Sequence, residues 1–221
     1  MFFGKSKRKN IINEAVLDLR KYTPGALENV KIINAALVIF PENPGEALMD
    51  AYGKIKIKNV AVTLNVPDDK KIINFNGTTV LGDENVVPGA IHMTNGLTVI
   101  KSTPEEPVEL ISNGLTVYGE NTRLNILTQN GLSAQAPFQI NDVRIFPHDI
   151  GIDSLFVKNL TDNTVIAAGN DMIIYSDVSL ELLKSKKLYF VAGSLIKCDY
   201  SILGYIQTIA TAGKKIQVNE S

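Results

Sequence analysis

The chain has no tryptophan and a single cysteine, Cys198, among 221 residues. One thiol excludes an internal disulfide framework and suits a reducing compartment. The longest apolar run, Ala35 to Phe40, is far short of the roughly 20 residues that span a bilayer. No apolar segment near the start has the form of a secretory signal, so a cytoplasmic protein is expected. Neither charge sign dominates: 22 Lys and Arg against 23 Asp and Glu leave a net −1. The chain therefore offers no global field for nucleic acid, and none is expected as a partner. No zinc-ligand spacing, phosphate loop or nucleophile elbow occurs, so neither a metal nor a cofactor is expected.

What the chain does have is an internal repeat. Asn95-Gly-Leu-Thr-Val, Asn113-Gly-Leu-Thr-Val and Asn130-Gly-Leu-Ser-Ala share one pentad, and Asn59-Val-Ala-Val-Thr and Asn76-Gly-Thr-Thr-Val vary it. From Asn59 through Asn76, Asn95 and Asn113 to Asn130 the sequence number advances in nearly constant steps of 17, 19, 18 and 17. Asn and Gly tolerate positive φ and so turn a corner before each extended segment. Hairpin turns in a β-sandwich recur at markedly shorter intervals, which this spacing does not match. A period near three times six is that of one coil in a three-sided β-solenoid. Stacked corners would let the five Asn amides form a hydrogen-bonded ladder, with alternate side chains of the Leu-Thr-Val segments pointing into the core.

The period is predicted to continue through Asn141, Asn159, Ser176 and Gly193, the last three following in steps of 18, 17 and 17. About eight or nine coils would make a rod on the order of 40 Å long. Before the repeat, Pro44 to Gly53 has Pro at a helix start, Gly at its end and Ala47, Leu48, Ala51 and Tyr52 as an apolar face, predicting a short helix within one coil. Upstream, Asn10 is placed to cap a helix carrying Ile11, Ile12, Ala15, Val16 and Leu19 on one face. Such a terminal helix would cover an open solenoid end. The expected fold is thus all-β: a single-stranded parallel β-helix (β-solenoid) of about 17–19 residues per coil with a short N-terminal helical cap. The expected organisation is a flexible basic tail at 1–9, a cap and helix-bearing coils at 10–58, and regular coils, continuous with the cap, at 59–221.

The first ten residues hold Lys5, Lys7, Arg8 and Lys9 and no acid, leaving −5 for the remainder. Phe2 and Phe3 beside this polybasic patch form an aromatic wedge suited to an anionic membrane surface. A Met-Phe terminal peptide with clustered Lys, ahead of coils of about 18 residues, resembles the bactofilins. That resemblance spans Met1 to Lys9 and, as architecture, the coils from about Val60 to Val218. It implies a cytoskeletal β-helix protein that polymerises end to end without nucleotide and is held at the inner face of the membrane by its terminal peptide. Two features depart from the family: only 16 Gly in the chain, and the helix-bearing region before residue 59.

The rival reading is enzymatic or carbohydrate-binding, because pectin-lyase-like proteins share the β-helix. Their sites need clustered carboxylates to hold calcium or to work as an acid and base pair. The densest candidate is Asp142, Arg144, His148, Asp149 and Asp153. Its carboxylates are spread over a turn, and Asp142 with Arg144 reads more simply as a surface ion pair. His92 sits between apolar neighbours as a core or edge histidine, and Cys198 as a small buried hydrophobe. A non-enzymatic scaffold is the expectation.

Overall fold

A computed structural model of the protein describes residues 11–101 and 107–219. The chain divides into two compact units, and the division falls between Lys70 and Lys71 rather than at 58. Both units are mainly β, and every strand pair among the described residues is parallel.

The first unit contains β1 (Ile11–Asn13), β2 (Val16–Asp18), a 3-10 turn (Leu19–Lys21), α1 (Pro24–Leu27), β3 (Ile32–Asn34), β4 (Leu37–Pro41), α2 (Glu46–Gly53), β5 (Lys56–Lys58) and β6 (Val62–Val66). It forms two three-stranded sheets, β1-β3-β5 and β2-β4-β6. The helix expected over Ile11 to Leu19 is instead two strands and the start of the 3-10 turn, and its expected cap, Asn10, lies outside the described residues. Ile11 and Ile12 pair with Ile32 and Ile33, and Val16 and Leu17 with Leu37 and Val38. The apolar positions fit both periods. Parallel partners and the stiff β-branched side chains decide for strands, and Ile12, Leu17 and Leu19 are buried. The second expected helix is α2, which buries Leu48 and sets Tyr52 edge-on to Phe40, ring centroids 4.9 Å apart.

The second unit opens with one sheet of long strands in the order β10-β9-β8-β7: β7 (Ile72–Leu81), β8 (Ile91–Ile100), β9 (Val108–Tyr118) and β10 (Leu124–Gln135). There follow β11 (Asp142–Phe146), β12 (Ile150–Ile152), α3 (Ser154–Lys158), β13 (Thr164–Ala168), β14 (Met172–Ile174), α4 (Leu180–Lys184), β15 (Leu188–Ala192), β16 (Leu195–Cys198), α5 (Tyr200–Ile206), β17 (Ala210–Ala212) and β18 (Lys215–Val218). They build two further four-stranded sheets, β11-β13-β15-β17 and β12-β14-β16-β18.

Here the predicted period fails. Asp142 pairs with Thr164 and Thr164 with Leu188, so the step from layer to layer lengthens to 22 and then to 24. Each passage carries a helix, started by Asp153 on Phe156 N–H (2.7 Å), Ser179 on Leu182 N–H (3.2 Å) and Asp199 on Ser201 N–H (2.9 Å). These caps satisfy N–H groups that a helix start otherwise leaves open. Asn159, expected to head a coil, ends α3 instead.

Nor do the strands form one file. β11 lies beside β7 and β13 beside β8, so the unit holds two four-layer stacks side by side, each about 14 Å deep at about 4.8 Å per layer. The sheet containing β13 and β15 is covered on both faces. Val165, Ala167, Tyr189 and Val191 pack with Leu97, Val99, Leu115 and Val117, while Ile166, Ala168, Phe190 and Ala192 pack with Met172, Ile196, Ile202 and Ile206. Burial on both faces is why these strands read as unbroken apolar runs rather than alternating ones.

Candidate functional site: the Asn-Gly corners and the edges of their sheet

Each of β7 to β10 bends in its middle at an Asn-Gly pair. Gly77, Gly96, Gly114 and Gly131 have φ of 79°, 123°, 145° and 149°, values that favour glycine. Crowding adds a second reason at three of them. A Cβ on Gly96 would run into the Gly77 carbonyl oxygen, one on Gly114 into that of Gly96, and one on Gly131 into that of Gly114. Gly77, at the end of the row, has nothing near its missing Cβ.

The preceding Asn residues stand in register, and their amides are linked in one direction. Nδ2 of Asn95 donates to Oδ1 of Asn76 (3.0 Å), Asn113 to Asn95 (3.2 Å) and Asn130 to Asn113 (3.1 Å). These amides lie on the outer, water-facing side of the bend. On the inner side Thr94, Thr98, Ser112 and Thr116 are buried, and the Ser112 and Thr116 hydroxyls bond across the corner at 2.6 Å.

Asn59 belongs to a different row. It donates to Asn34 Oδ1 (2.6 Å), and Asn34 donates to Asn13 Oδ1 (2.6 Å), all within the first unit. Asn34 stands 25 residues before Asn59 in a similar segment, the surplus being α2, whereas Asn13 escaped the sequence reading, although Ile11-Ile-Asn-Glu-Ala and Ile32-Ile-Asn-Ala-Ala repeat one pattern. A longer step of 21, which accommodates the short helix α1, hid the match.

The sheet's outer strands are long and uncharged. β10 runs for 12 residues and β7 for 10 without a single charge or proline. Leu132 of β10 is 50% exposed, whereas Leu115 and Leu97, its partners along the row, are 6% and 4% exposed. By contrast the outer strand β5 of the first unit is Lys56-Ile57-Lys58, all exposed. Lysines on an edge strand discourage further pairing.

The carboxylates between 142 and 153 do not converge. Asp142 pairs with Arg144 at 2.9 Å and accepts Val143 N–H, Asp149 accepts Asp171 N–H (3.0 Å), and Asp153 caps α3. His148 is exposed. Asp177 accepts the Ser154 N–H at 2.9 Å, a bond that holds its carboxyl below the usual range. Among the described residues no three His, Cys, Asp or Glu side chains are grouped to hold a metal ion. His92 is fully buried, accepts the Val87 N–H on Nε2 (3.0 Å) and stacks on Phe75. Burial pushes its pKa down against the opposing pull of Glu109. Burial, with the Asp199 charge, pushes the Cys198 thiol up to about 11, which leaves it a poor nucleophile.

Phe2, Phe3, Lys5, Lys7, Arg8 and Lys9 lie outside the described residues. Among the described residues no helix is long and apolar enough to cross a membrane. Compared with models of known protein families, with curated proteins and with solved structures, the chain matches none.

Proposed function

We propose that this protein is a non-enzymatic scaffold of the parallel β-solenoid type, built like a bactofilin, that self-associates end to end and rests on an anionic membrane at its cytoplasmic face. The observation that carries the reading is the Asn-Gly sheet: strands in register, glycine corners of which three leave no room for a side chain, and outer strands free of charge. Such a sheet is a template for adding strands, and natural proteins ordinarily blunt it. The carboxylates of 142–153 support the same reading, because each is engaged in a local structural bond.

The membrane part rests on the sequence. Each of Lys5, Lys7, Arg8 and Lys9 near an anionic leaflet contributes about 1 kcal/mol, and insertion of Phe2 and Phe3 adds on the order of 3 kcal/mol. One copy binds weakly and reversibly. An assembly binds firmly through many such segments.

Co-sedimentation with anionic vesicles tests the membrane part. The full chain is expected to bind better than one lacking residues 1–9, by a margin that shrinks with salt as the charges are screened over about 8 Å. Replacing Phe2 and Phe3 by Ser should weaken binding even at low salt. Equal sedimentation of the full and shortened chains at low salt, with oligomeric state matched, contradicts it. Against pectin and alginate, with and without calcium, no cleavage is expected. Turnover lost on Asp142→Ala or Asp153→Ala would establish the polysaccharide enzyme instead.

A further inference from the structure

We infer that the open edge of β10 receives β7 of a second copy of this chain, parallel and in register, so that the Asn-Gly ladder continues from one molecule into the next. This rests on the self-associating scaffold reading and adds to it the two strands that meet, their register and the polarity of the assembly.

The amides carry the polarity. Along the row every Nδ2 donates toward the lower-numbered Asn and every Oδ1 accepts from the higher-numbered one. Among the described residues, Asn130 Oδ1 is therefore left without a ladder donor at one end, and Asn76 Nδ2 without a ladder acceptor at the other. The two ends are complementary to each other and not to themselves. An Asn76 amide set over Asn130 repeats the bond already made three times inside the sheet.

The backbone fits the same register. In each internal layer a glycine lets the carbonyl of the layer below approach where a Cβ would stand. Gly77 offers the same bare α-carbon with nothing yet beside it, so the Gly131 carbonyl of a neighbouring copy finds the space that the Gly77 carbonyl finds at Gly96. Thr78 of the incoming strand would then cover Leu132, just as Leu132 lies over Leu115 and Leu115 over Leu97. That step would bury the most exposed leucine of the sheet, at 50% exposure in the single chain.

Charge permits it as well. No Lys, Arg, Asp or Glu stands in β7 or β10, so these two strands themselves bring no ion to be desolvated, a cost that can reach several kcal/mol per buried charge, and Asp142 and Arg144 of the adjoining β11 are paired with each other. The two surfaces are different patches of one molecule. The contact is therefore heterologous, and repeated addition gives an open chain of subunits unless the rotation closes a ring.

Sedimentation velocity and negative-stain microscopy of the full chain test this with two variants. Leu132→Lys puts a charge on the β10 edge at an already exposed position. Asn76→Asp keeps the acceptor that Asn95 uses, removes the donor and adds charge at the β7 edge. The parent is expected to grow in mass with concentration. Each variant alone should associate at least about tenfold more weakly, a loss of about 1.4 kcal/mol, with thermal melts confirming that it is folded. An equimolar mixture should recover heterodimers, since it restores one intact β7 edge opposite one intact β10 edge. Asn76→Asp that dimerises like the parent while Leu132→Lys does not would mean two-fold pairing of β10 with itself and would overturn the inference. A parent that assembles regardless of both changes would overturn this interface and leave the scaffold reading standing. A parent that is monomeric at every concentration would overturn both.

Discussion

The second unit holds parallel strands in register by two different means. In β7 to β10 the corner carries Asn and Gly, the chain returns in steps of 19, 18 and 17, and the outer strands are more exposed than the inner ones. In β11 to β18 the steps are longer, each passage carries a helix, and the strands β13 and β15 are buried throughout. One device is common to both. Gly193 and Gly213 would clash with the carbonyls of Gly169 and Gly193, as Gly114 would with Gly96. At these corners of the second unit close stacking thus needs a bare α-carbon, whatever else surrounds them. The amide ladder is an addition found at the corners of β7 to β10.

The difference sets where the molecule should be fragile. Removing the Phe190 side chain, wholly buried between β16 and the helices, should cost about 3–5 kcal/mol. This is the largest effect expected, and urea unfolding measures it. A loss under about 1 kcal/mol would mean that the helix-bearing stack is loosely packed. In the Asn-Gly stack the comparable weak point is backbone. Gly114→Ala combines a φ of 145° with a contact against the Gly96 carbonyl and should cost on the order of 3 kcal/mol. Gly77→Ala meets only the φ penalty and should cost on the order of 1 kcal/mol. Equal losses at the two glycines would break the stacked-corner account.

The ladder itself should matter less. Asn113 donates to Asn95 and accepts from Asn130, yet its side chain is exposed. Water can replace either partner, so Asn113→Leu should cost about 1 kcal/mol. A cost as large as that of Phe190→Ala would show that the amides, not the apolar faces, hold the layers together.

A pH effect is expected from the Asn-Gly stack. His92 is buried as the neutral ring, with Nε2 accepting the Val87 N–H, and burial keeps its pKa below the unfolded value of 6.5. Between those two values the unfolded chain binds more protons than the folded one. Stability is therefore complete above about pH 6.5 and falls as pH drops through the window below it. His92→Gln should flatten that part of the stability curve. An unchanged slope would place the titrating group elsewhere.

The parts of this fold that were legible are those written in turn chemistry. Asn76, Asn95, Asn113 and Asn130 could be aligned because Gly follows each at helix-free spacing, with Thr and Val close behind in the first three and Leu-Ser-Ala in the last. The glycine row at 169, 193 and 213 was not legible, because its helices vary in length and each glycine is followed by different residues: Asn170, Ser194 and Lys214. Counting instead through Asn141, Asn159, Ser176 and Gly193 kept the old period by coincidence, and those residues fall at unrelated places in the structure. Helices of five to seven residues are too short to show a helical period. Ile11 to Leu19 showed one and is strand, because pairing with Ile32 to Val38 outweighs a local pattern that both structures satisfy. The return of the chain to lay β11 beside β7 has no local sequence signal; its trace is the unbroken apolar runs Val165–Ala168 and Leu188–Ala192.

Residue-resolved amide hydrogen exchange on dilute protein tests most directly whether the second unit is a pair of parallel stacks in which the outer edge of β10 is open. The account predicts that β13 and β15 exchange only through global unfolding, that β8 and β9 exchange more slowly than their outer neighbours, and that the outward N–H groups of β10 exchange fastest of the four long strands. Raising the concentration should protect β10 and β7 together. Protection of β10 equal to that of β9 in the monomer would contradict the open edge and, with it, the scaffold that is built upon it.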